Sequence, residues 1–306
     1  MISIQQIQYI LTLSEEKQFQ KASERCFVTQ PTLSMQVKKA EEMLGGQLFD
    51  RSGSPLEMTP FGNELLPIFR DVIADYSNIK DVVLKKDGVY KEEIKMAIIP
   101  TIAGYMIPEL YNEWKKVLPN VQLTIEELKT EEILSNLEDR KIDIGILAGP
   151  VVNPKWRTIP LYSEEIKAYL PSRTGVDIKL DKLVNEHPWL LTKGNCLRTQ
   201  MMHFCQLKSD GSKDNWDYEG GNISLLENMV LINGGYTLVP ENYIKKNEQD
   251  YKRIFSSANE VPAREVISLV PNKSPKMKLL EAIIRKIQLE YNKGVTDSVL
   301  SILNWK

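Results

Sequence analysis

The spacing of apolar positions changes twice along the chain, and each change marks a different kind of element. Ile4, Ile7, Ile10 and Leu11 recur at helical spacing, and a second helix is expected over Phe19 to Cys26. Phe27-Val28 then leads to Thr29, whose hydroxyl can cap a third helix, with Pro31 tolerated in its first turn. In that third helix Leu33, Val37, Ala40 and Leu44 follow at intervals of four, three and four, forming the buried face. Gln30, Thr32, Ser34, Gln36, Lys38 and Lys39 are left outside. Arg51-Ser52-Gly53-Ser54-Pro55 breaks the pattern, and Leu56 to Thr59 reads as the returning strand of a small wing.

From Thr59 the pattern becomes heptad-like. Leu65, Phe69, Val72, Tyr76, Ile79 and Val83 form an a/d seam suited to pairing two helices. The competing reading is a long amphipathic helix packed on its own chain. Lys85-Lys86-Asp87-Gly88 closes this helix. Beyond Glu92 strands and helices alternate. Strands are expected over Lys95–Pro100, Val121–Glu126 and Ile142–Leu147, with helices over Tyr105–Leu118 and Glu131–Leu137. The alternation predicts a parallel, doubly wound sheet. Extended segments over Trp156–Pro171, a buried strand running into Pro240, a late strand at Val266–Pro271 and a closing helix at Met277–Tyr291 complete it.

Composition narrows the class. The 306 residues, 42% hydrophobic and 26% charged, suit two or three globular domains. The net charge of −2 does not by itself point to nucleic acid, and Glu41, Glu42 and Asp50 offset Lys38, Lys39 and Arg51. DNA reading would therefore depend on two paired readers more than on bulk charge. No apolar run of about 18 residues suggests a membrane span. The opening MISIQQIQYILTLSEEKQF lacks the features of a signal peptide, so a cytoplasmic protein with reduced thiols is expected. Two histidines and three unclustered cysteines suggest no metal and no cofactor.

Two stretches carry chemistry. The first is the pair of helices joined by a short turn, with amides, hydroxyls and lysines on the outer face of the second. Such a helix can enter the major groove, where Gln reads adenine and Lys or Arg holds phosphate or guanine. A helical interaction domain with a solvated face is the bland alternative. The second stretch is Gly194 to Cys205, which holds two of the three cysteines, nine positions apart. If Leu197 to Phe204 is helical, the two sulfurs are separated by about 13 Å of helix and lie on opposite faces. A disulfide needs Cα atoms within about 7 Å, so pairing requires the segment to come apart. Cys196, at a helix start near Arg198, is expected to be the attacked thiol, and Cys205, beside Phe204 and Leu207, the resolving one. The alternative is two small buried residues. Thr101 and Thr130 precede helices and read on their own as plain N-caps, at positions where α/β sheets gather ligands.

Phe19-x-x-Ala22-Ser23, Val28-Thr29-Gln30-Pro31-Thr32-Leu33-Ser34, Lys39-x-Glu41, Leu44-Gly45, Leu48-Phe49-Asp50-Arg51 and Thr59-x-x-Gly62 resemble the DNA-binding domain of LysR-type transcriptional regulators. The resemblance implies a winged helix-turn-helix DNA-binding domain plus linker helix, followed by an α/β effector domain of two subdomains resembling periplasmic binding proteins. The domains would be 1–60, 61–88 and 89–306. Subdomain I would cover about 89–161 and 268–306, and subdomain II about 162–267. Gln30, Pro31, Thr32, Ser34, Gln36 and Lys38 would sit on or near the reading helix, and Arg51 near the wing. Partners implied are double-stranded promoter DNA, RNA polymerase and further copies of the chain, as a homodimer through 61–88 and a homotetramer.

Gly194-x-Cys196-Leu197-Arg198-x-Gln200-x-Met202-x-Phe204-Cys205, with Pro100-Thr101, Tyr105, Pro108, Glu126, Thr130, Leu134 and Leu137, is similar to the peroxide-sensing members of that family. This implies hydrogen peroxide as the signal and oxidative-stress defence genes as the output. Cys196 would be the peroxidatic and Cys205 the resolving thiol, with Thr101 and Thr130 in the peroxide pocket and Asn195, Leu197 and Arg198 beside it. A glutaredoxin- or thioredoxin-type reductant would reset the switch. Family members usually carry histidine just before the first cysteine, where this chain has Asn195. They also carry a basic residue on the late strand, and Leu269-Val270-Pro271-Asn272 offers none before Lys273. The rival within regulators is a small carboxylate bound in the cleft between subdomains. A thiol peroxidase is opposed by the DNA reader and the absence of C-x-x-C, and a periplasmic solute-binding protein by the winged helix.

Overall fold

The computed structural model describes residues 1–85, 92–171, 173–183, 186–205, 221–244, 248–256, 260–292 and 300–302. Gly88 and Leu207 lie outside the described residues, and Val83 is described for its backbone only. The chain forms two compact units, one over Met1–Glu92 with Glu138–Arg140, the other over Glu93–Leu137 and Lys141–Lys306.

The first unit contains α1 (Ile4–Glu16), α2 (Phe19–Arg25), α3 (Gln30–Leu44), β1 (Phe49–Asp50), β2 (Glu57–Met58) and α4 (Pro60–Lys85). Ser3 and Gln6 form a capping box on α1, and the Thr29 hydroxyl accepts the Thr32 N–H at the start of α3. Gly45 ends α3 at φ +77°, a left-handed conformation open to glycine. Leu33, Val37 and Ala40 pack with Ile7, Ile10, Leu13 and Ala22 in one core. The antiparallel pair of β1 and β2 aligns Phe49 with Met58 and makes the wing. Glu41 is buried at its base and accepts the N–H groups of Leu48 at 2.9 Å and Phe49 at 3.3 Å. The heptad seam splits. Leu65, Phe69 and Val72 pack on this unit's own core, whereas Tyr76 and Ile79 are exposed.

The second unit runs β3 (Glu92–Ile98), α5 (Pro100–Val117), β4 (Val121–Glu127), α6 (Thr130–Glu138), β5 (Ile144–Ala148), β6 (Trp156–Tyr169), β7 (Asp177–Lys179), α7 (Leu180–Leu183), α8 (Cys196–Phe204), α9 (Ile223–Asn233), β8 (Thr237–Pro240), β9 (Tyr251–Phe255), β10 (Val261–Pro271), α10 (Met277–Tyr291) and β11 (Leu300–Ile302). The main sheet order is β4-β3-β5-β10-β6-β9-β7. The sheet is mixed, which corrects the all-parallel expectation. β3 and β5 are parallel, but β10 lies antiparallel to both β5 and β6. The cause is the return path: β10 re-enters the first half from the second, running opposite to strands that arrived through helical crossovers.

β6 passes through two apolar cores, and β10 contributes to the first of them. Leu161 and Tyr162 of β6, with Val266, Ile267, Leu269 and Val270 of β10, belong to the core built with β3, β5, α5 and α10. Ile166 and Ala168 belong to the second core, with Val230, Leu238 and Ile254. Among the described residues no helix is long and apolar enough to cross a membrane.

Candidate functional site

The polar face of α3 lies only partly outside. Gln30, Pro31 and Lys38 are exposed, while Thr32, Ser34 and Gln36 are half-buried. Two of these side chains, and Arg51 of the wing, make contacts inside the unit. Thr32 shares a 2.8 Å hydrogen bond with the Thr29 hydroxyl, Gln36 accepts from Gln6 at 3.2 Å, and Arg51 is paired with Glu41 at 2.8 Å. Arg51 also lies over the Phe19 ring, so it ties the wing to the helices. Cys26 caps α2 and is half-buried.

In the second unit Gly194 (φ +84°) turns the chain into α8. Asn195 is the N-cap, and its side chain accepts the Leu197 N–H at 3.3 Å. That bond gives Asn195 a structural task at the place where the resemblance implied a base. Cys196 is the first helical residue, and it is buried. Burial pushes its thiol above the ordinary range. The Arg264 charge, the Leu197 N–H, the Thr130 hydroxyl and its own N–H act the other way, and burial prevails.

The cation at the thiol is therefore Arg264, a residue the sequence reading missed. The late strand begins at Val261, not at Val266, and carries Arg264 fully buried. In the sequence, Pro262 and the Arg264-Glu265 charges interrupt the apolar run that marks the strand from Val266 onward. Arg198, adjacent in sequence, donates to the Leu191 carbonyl at 2.8 Å. Lys273 lies beyond the strand's end.

Both threonines are buried, but neither is an N-cap. Thr101 lies in the first turn of α5, whose N-cap position is Ile99, and Thr130 is the first residue of α6. The physical reason is that Pro100 starts α5 a turn earlier than expected, with its missing N–H costing nothing there. Thr101 is held by Arg264. Its hydroxyl accepts from Nη1 at 2.9 Å and its carbonyl from Nη2 at 3.0 Å. The Thr130 hydroxyl has no other hydrogen-bond partner and faces Cys196. A buried hydroxyl left like this is available to a small polar guest.

Cys205 ends α8 and is buried. Burial pushes its thiol up to about 11, against the Tyr236 hydroxyl, which faces it. All three cysteines are free. Nine helical steps of about 1.5 Å keep the two thiols about 13 Å apart along α8. No group of three or more His, Cys, Asp or Glu suited to a metal occurs among the described residues.

The pieces brought together are thus Cys196, Thr101, Thr130 and Arg264, with Leu197 contributing its N–H. Residues 4–63 match the model of the bacterial regulatory helix-turn-helix protein, lysR family, and residues 87–288 match the LysR substrate binding domain. A hydrogen peroxide-inducible genes activator from Pectobacterium carotovorum subsp. carotovorum is 27% identical over 243 residues, covering 78% of this chain and 80% of that one. The HTH-type transcriptional regulator EstR of Acinetobacter baylyi is 30% identical over 242 residues, with the same coverage of 78% and 80%. The structure is similar to a cysteine-to-aspartate variant of full-length OxyR from Pseudomonas aeruginosa, at TM-score 0.70 and 25% identity, covering 94% of this chain and 98% of that one. With both family models matched in order along its length, the chain belongs to the LysR family of DNA-binding transcriptional regulators.

Proposed function

We propose that this regulator senses hydrogen peroxide through Cys196 and Cys205 and controls oxidative-stress defence genes. The observation that carries the reading is the set of groups gathered around Cys196. A buried thiol at a helix N-terminus faces a buried guanidinium and an unpartnered hydroxyl, and a second buried thiol closes the same helix. The relatives named for hydrogen peroxide or OxyR support it.

Cys196 attacks one oxygen of peroxide, the O–O bond breaks, and the thiol proton leaves with the other oxygen as water. The sulfenic acid then condenses with the Cys205 thiol, forming the S–S bond and a second water. In this reading Thr130 holds the peroxide by a hydrogen bond, and Arg264 stabilises charge on sulfur and oxygen as it develops. Asn195 holds the turn and supplies no base. The disulfide cannot form on an intact α8, so oxidation traps a different packing, and a reduced thiol partner of the glutaredoxin or thioredoxin type returns it. The altered packing passes to a dimer seam over 61–88, within a tetramer, and so to the spacing of the two reading helices on promoter DNA and to RNA polymerase. Such a switch belongs in a reducing cytoplasm.

A cleft-bound carboxylate fits less well, because Arg264 already has a carboxylate partner in Glu164. Mass mapping under non-reducing conditions after a brief peroxide pulse tests the proposal. A Cys196–Cys205 crosslink is expected, and a chain whose thiols stay free under a dose that alters its DNA binding would refute it.

A further inference from the structure

Glu164 and Arg264 stand directly opposite one another on β6 and β10. Both side chains are buried, and Arg264 Nε donates to Glu164 Oε1 at 2.9 Å. The same oxygen accepts from the Tyr105 hydroxyl at 2.7 Å. Tyr105 in turn lies 2.5 Å from the Tyr162 hydroxyl. Glu164 Oε2 accepts the Asn242 N–H at 3.2 Å. The two outer guanidinium nitrogens hold Thr101. The cation that acts on Cys196 thus has its counter-charge on a different side chain, one bound on every side.

We propose that Glu164 is a positioning residue for the sensor thiol: it fixes the Arg264 guanidinium against Thr101 and competes with the Cys196 sulfur for its positive charge. The inference rests on reading Cys196 as the sensor. A buried cation needs one counter-charge, and the carboxylate supplies it at rest. A thiolate at Cys196 would then be a surplus anion in a low-dielectric site, so the thiol keeps its proton. Without the carboxylate, Cys196 becomes the nearest group able to balance Arg264.

The groups that bear on this balance come from each packed element. Arg264 faces Cys196 from β10, and Thr130 faces it from α6. Arg264, Tyr105 of α5 and Tyr162 of β6 surround Glu164, and Tyr291 of α10 stacks on Tyr162 with ring centres 4.5 Å apart. Lys129, ahead of α6, donates to the Lys193 carbonyl at 3.5 Å in the turn leading to Cys196.

The test follows the carbon-13 shift of the Cys196 β-carbon across a pH titration of the reduced full-length chain. Glu164→Gln keeps the shape and removes the charge, and the thiol's midpoint should fall by about 1–3 pH units. Tyr105→Phe leaves Oε1 to Arg264 alone, tightens that pair, and should raise the midpoint. Opposite signs are the signature of competition. A merely structural Glu164 would lower the melting temperature in both variants and leave the midpoint in place, and an unmoved or raised midpoint in Glu164→Gln overturns the proposal. If Glu164→Gln does not fold, Tyr105→Phe decides: an upward shift supports the proposal, and no shift or a downward one overturns it. Disulfide mapping of the wild-type chain in the same preparation reads the peroxide proposal separately. A chain that forms no Cys196–Cys205 bond, yet acidifies its thiol in Glu164→Gln, would remove that proposal and leave the charge competition standing.

Discussion

Cys196 and Cys205 bound a single helix, yet they are packed into different hydrophobic cores. Cys196 joins the one built around β3, β5 and α10, and Cys205 joins the one built around α9, β8 and β9. Bringing the sulfurs together means unwinding α8 and drawing Cys205, with Leu197 and Met201, out of the second core. Each large side chain removed from such a core costs about 1.5–3 kcal/mol. The covalent bond and the new packing have to offset that cost.

Oxidation should therefore expose the amides of α8. Hydrogen exchange from Thr199 to Cys205 is expected to speed up after peroxide in the wild-type chain and to stay slow in Cys196→Ser. Cys205→Ser should accumulate the sulfenic acid instead of the crosslink. Unchanged protection across α8 in a verified Cys196–Cys205 disulfide would rule out helix unwinding as the switch.

Cys205 also predicts an alkaline weakness. Its thiol is raised from the ordinary 9.0 to about 11 by burial. The unfolded chain releases this proton near the ordinary value and the folded chain only near the raised one, so the stabilisation is complete below the former and is lost as pH rises through the latter. Between about pH 8 and pH 10 the wild type should lose about 1 kcal/mol more than Cys205→Ser, read as the difference in urea midpoints. Equal losses in the two chains would contradict this assignment.

Glu41 anchors the wing through Leu48, Phe49 and Arg51. Glu41→Ala leaves two buried N–H groups without an acceptor and should destabilise the first unit by about 2–4 kcal/mol. Hydrogen exchange at Leu33 and Val37 reads this unit within the full chain, and slow exchange there in the variant would show that the wing carries no such strain.

On DNA, Lys38→Ala should weaken binding to all sequences alike and flatten the salt dependence by about one unit of slope. Gln30→Ala, with no charge to lose, should keep the salt slope and relax discrimination between bases. Titrations of operator and scrambled duplexes at several salt concentrations separate the two, and a changed slope in Gln30→Ala would misplace that residue.

Ile79 is 63% exposed although it falls on the heptad seam. Ile79→Glu should shift sedimentation from dimer or larger to monomer, while the first unit's core, which uses Leu65, Phe69 and Val72, stays intact. A variant that remains associated would place subunit pairing elsewhere.

Much of this was readable in the sequence for a physical reason. Leu33, Val37, Ala40 and Leu44 repeat with the helix, and a cap at Thr29 with a proline at position 31 marks where it starts. Cys196 and Cys205 announced themselves by rarity and spacing. The seam was half legible: its period is real, but period alone does not say whether the partner is the same chain, and Phe69 found its own core. Arg264 and Glu164 were hidden because charged residues normally mark solvent. On β10 and β6 they cancel each other inside the sheet, and no periodic signal reports a pairing between residues a hundred positions apart. The sense of β10 was hidden for a similar reason, since direction depends on where the chain returns from.

On the proposed mechanism, the long strands β6 and β10 give Cys196 a fixed post. Arg264 is rooted in an eleven-residue strand paired on both sides, whereas Cys196 starts a helix of nine residues. Transplanting this response into another regulator would therefore need more than the cysteine segment. The recipient would have to acquire the arginine, its carboxylate and the paired strands beneath them, or it would receive a hinge with nothing to swing against.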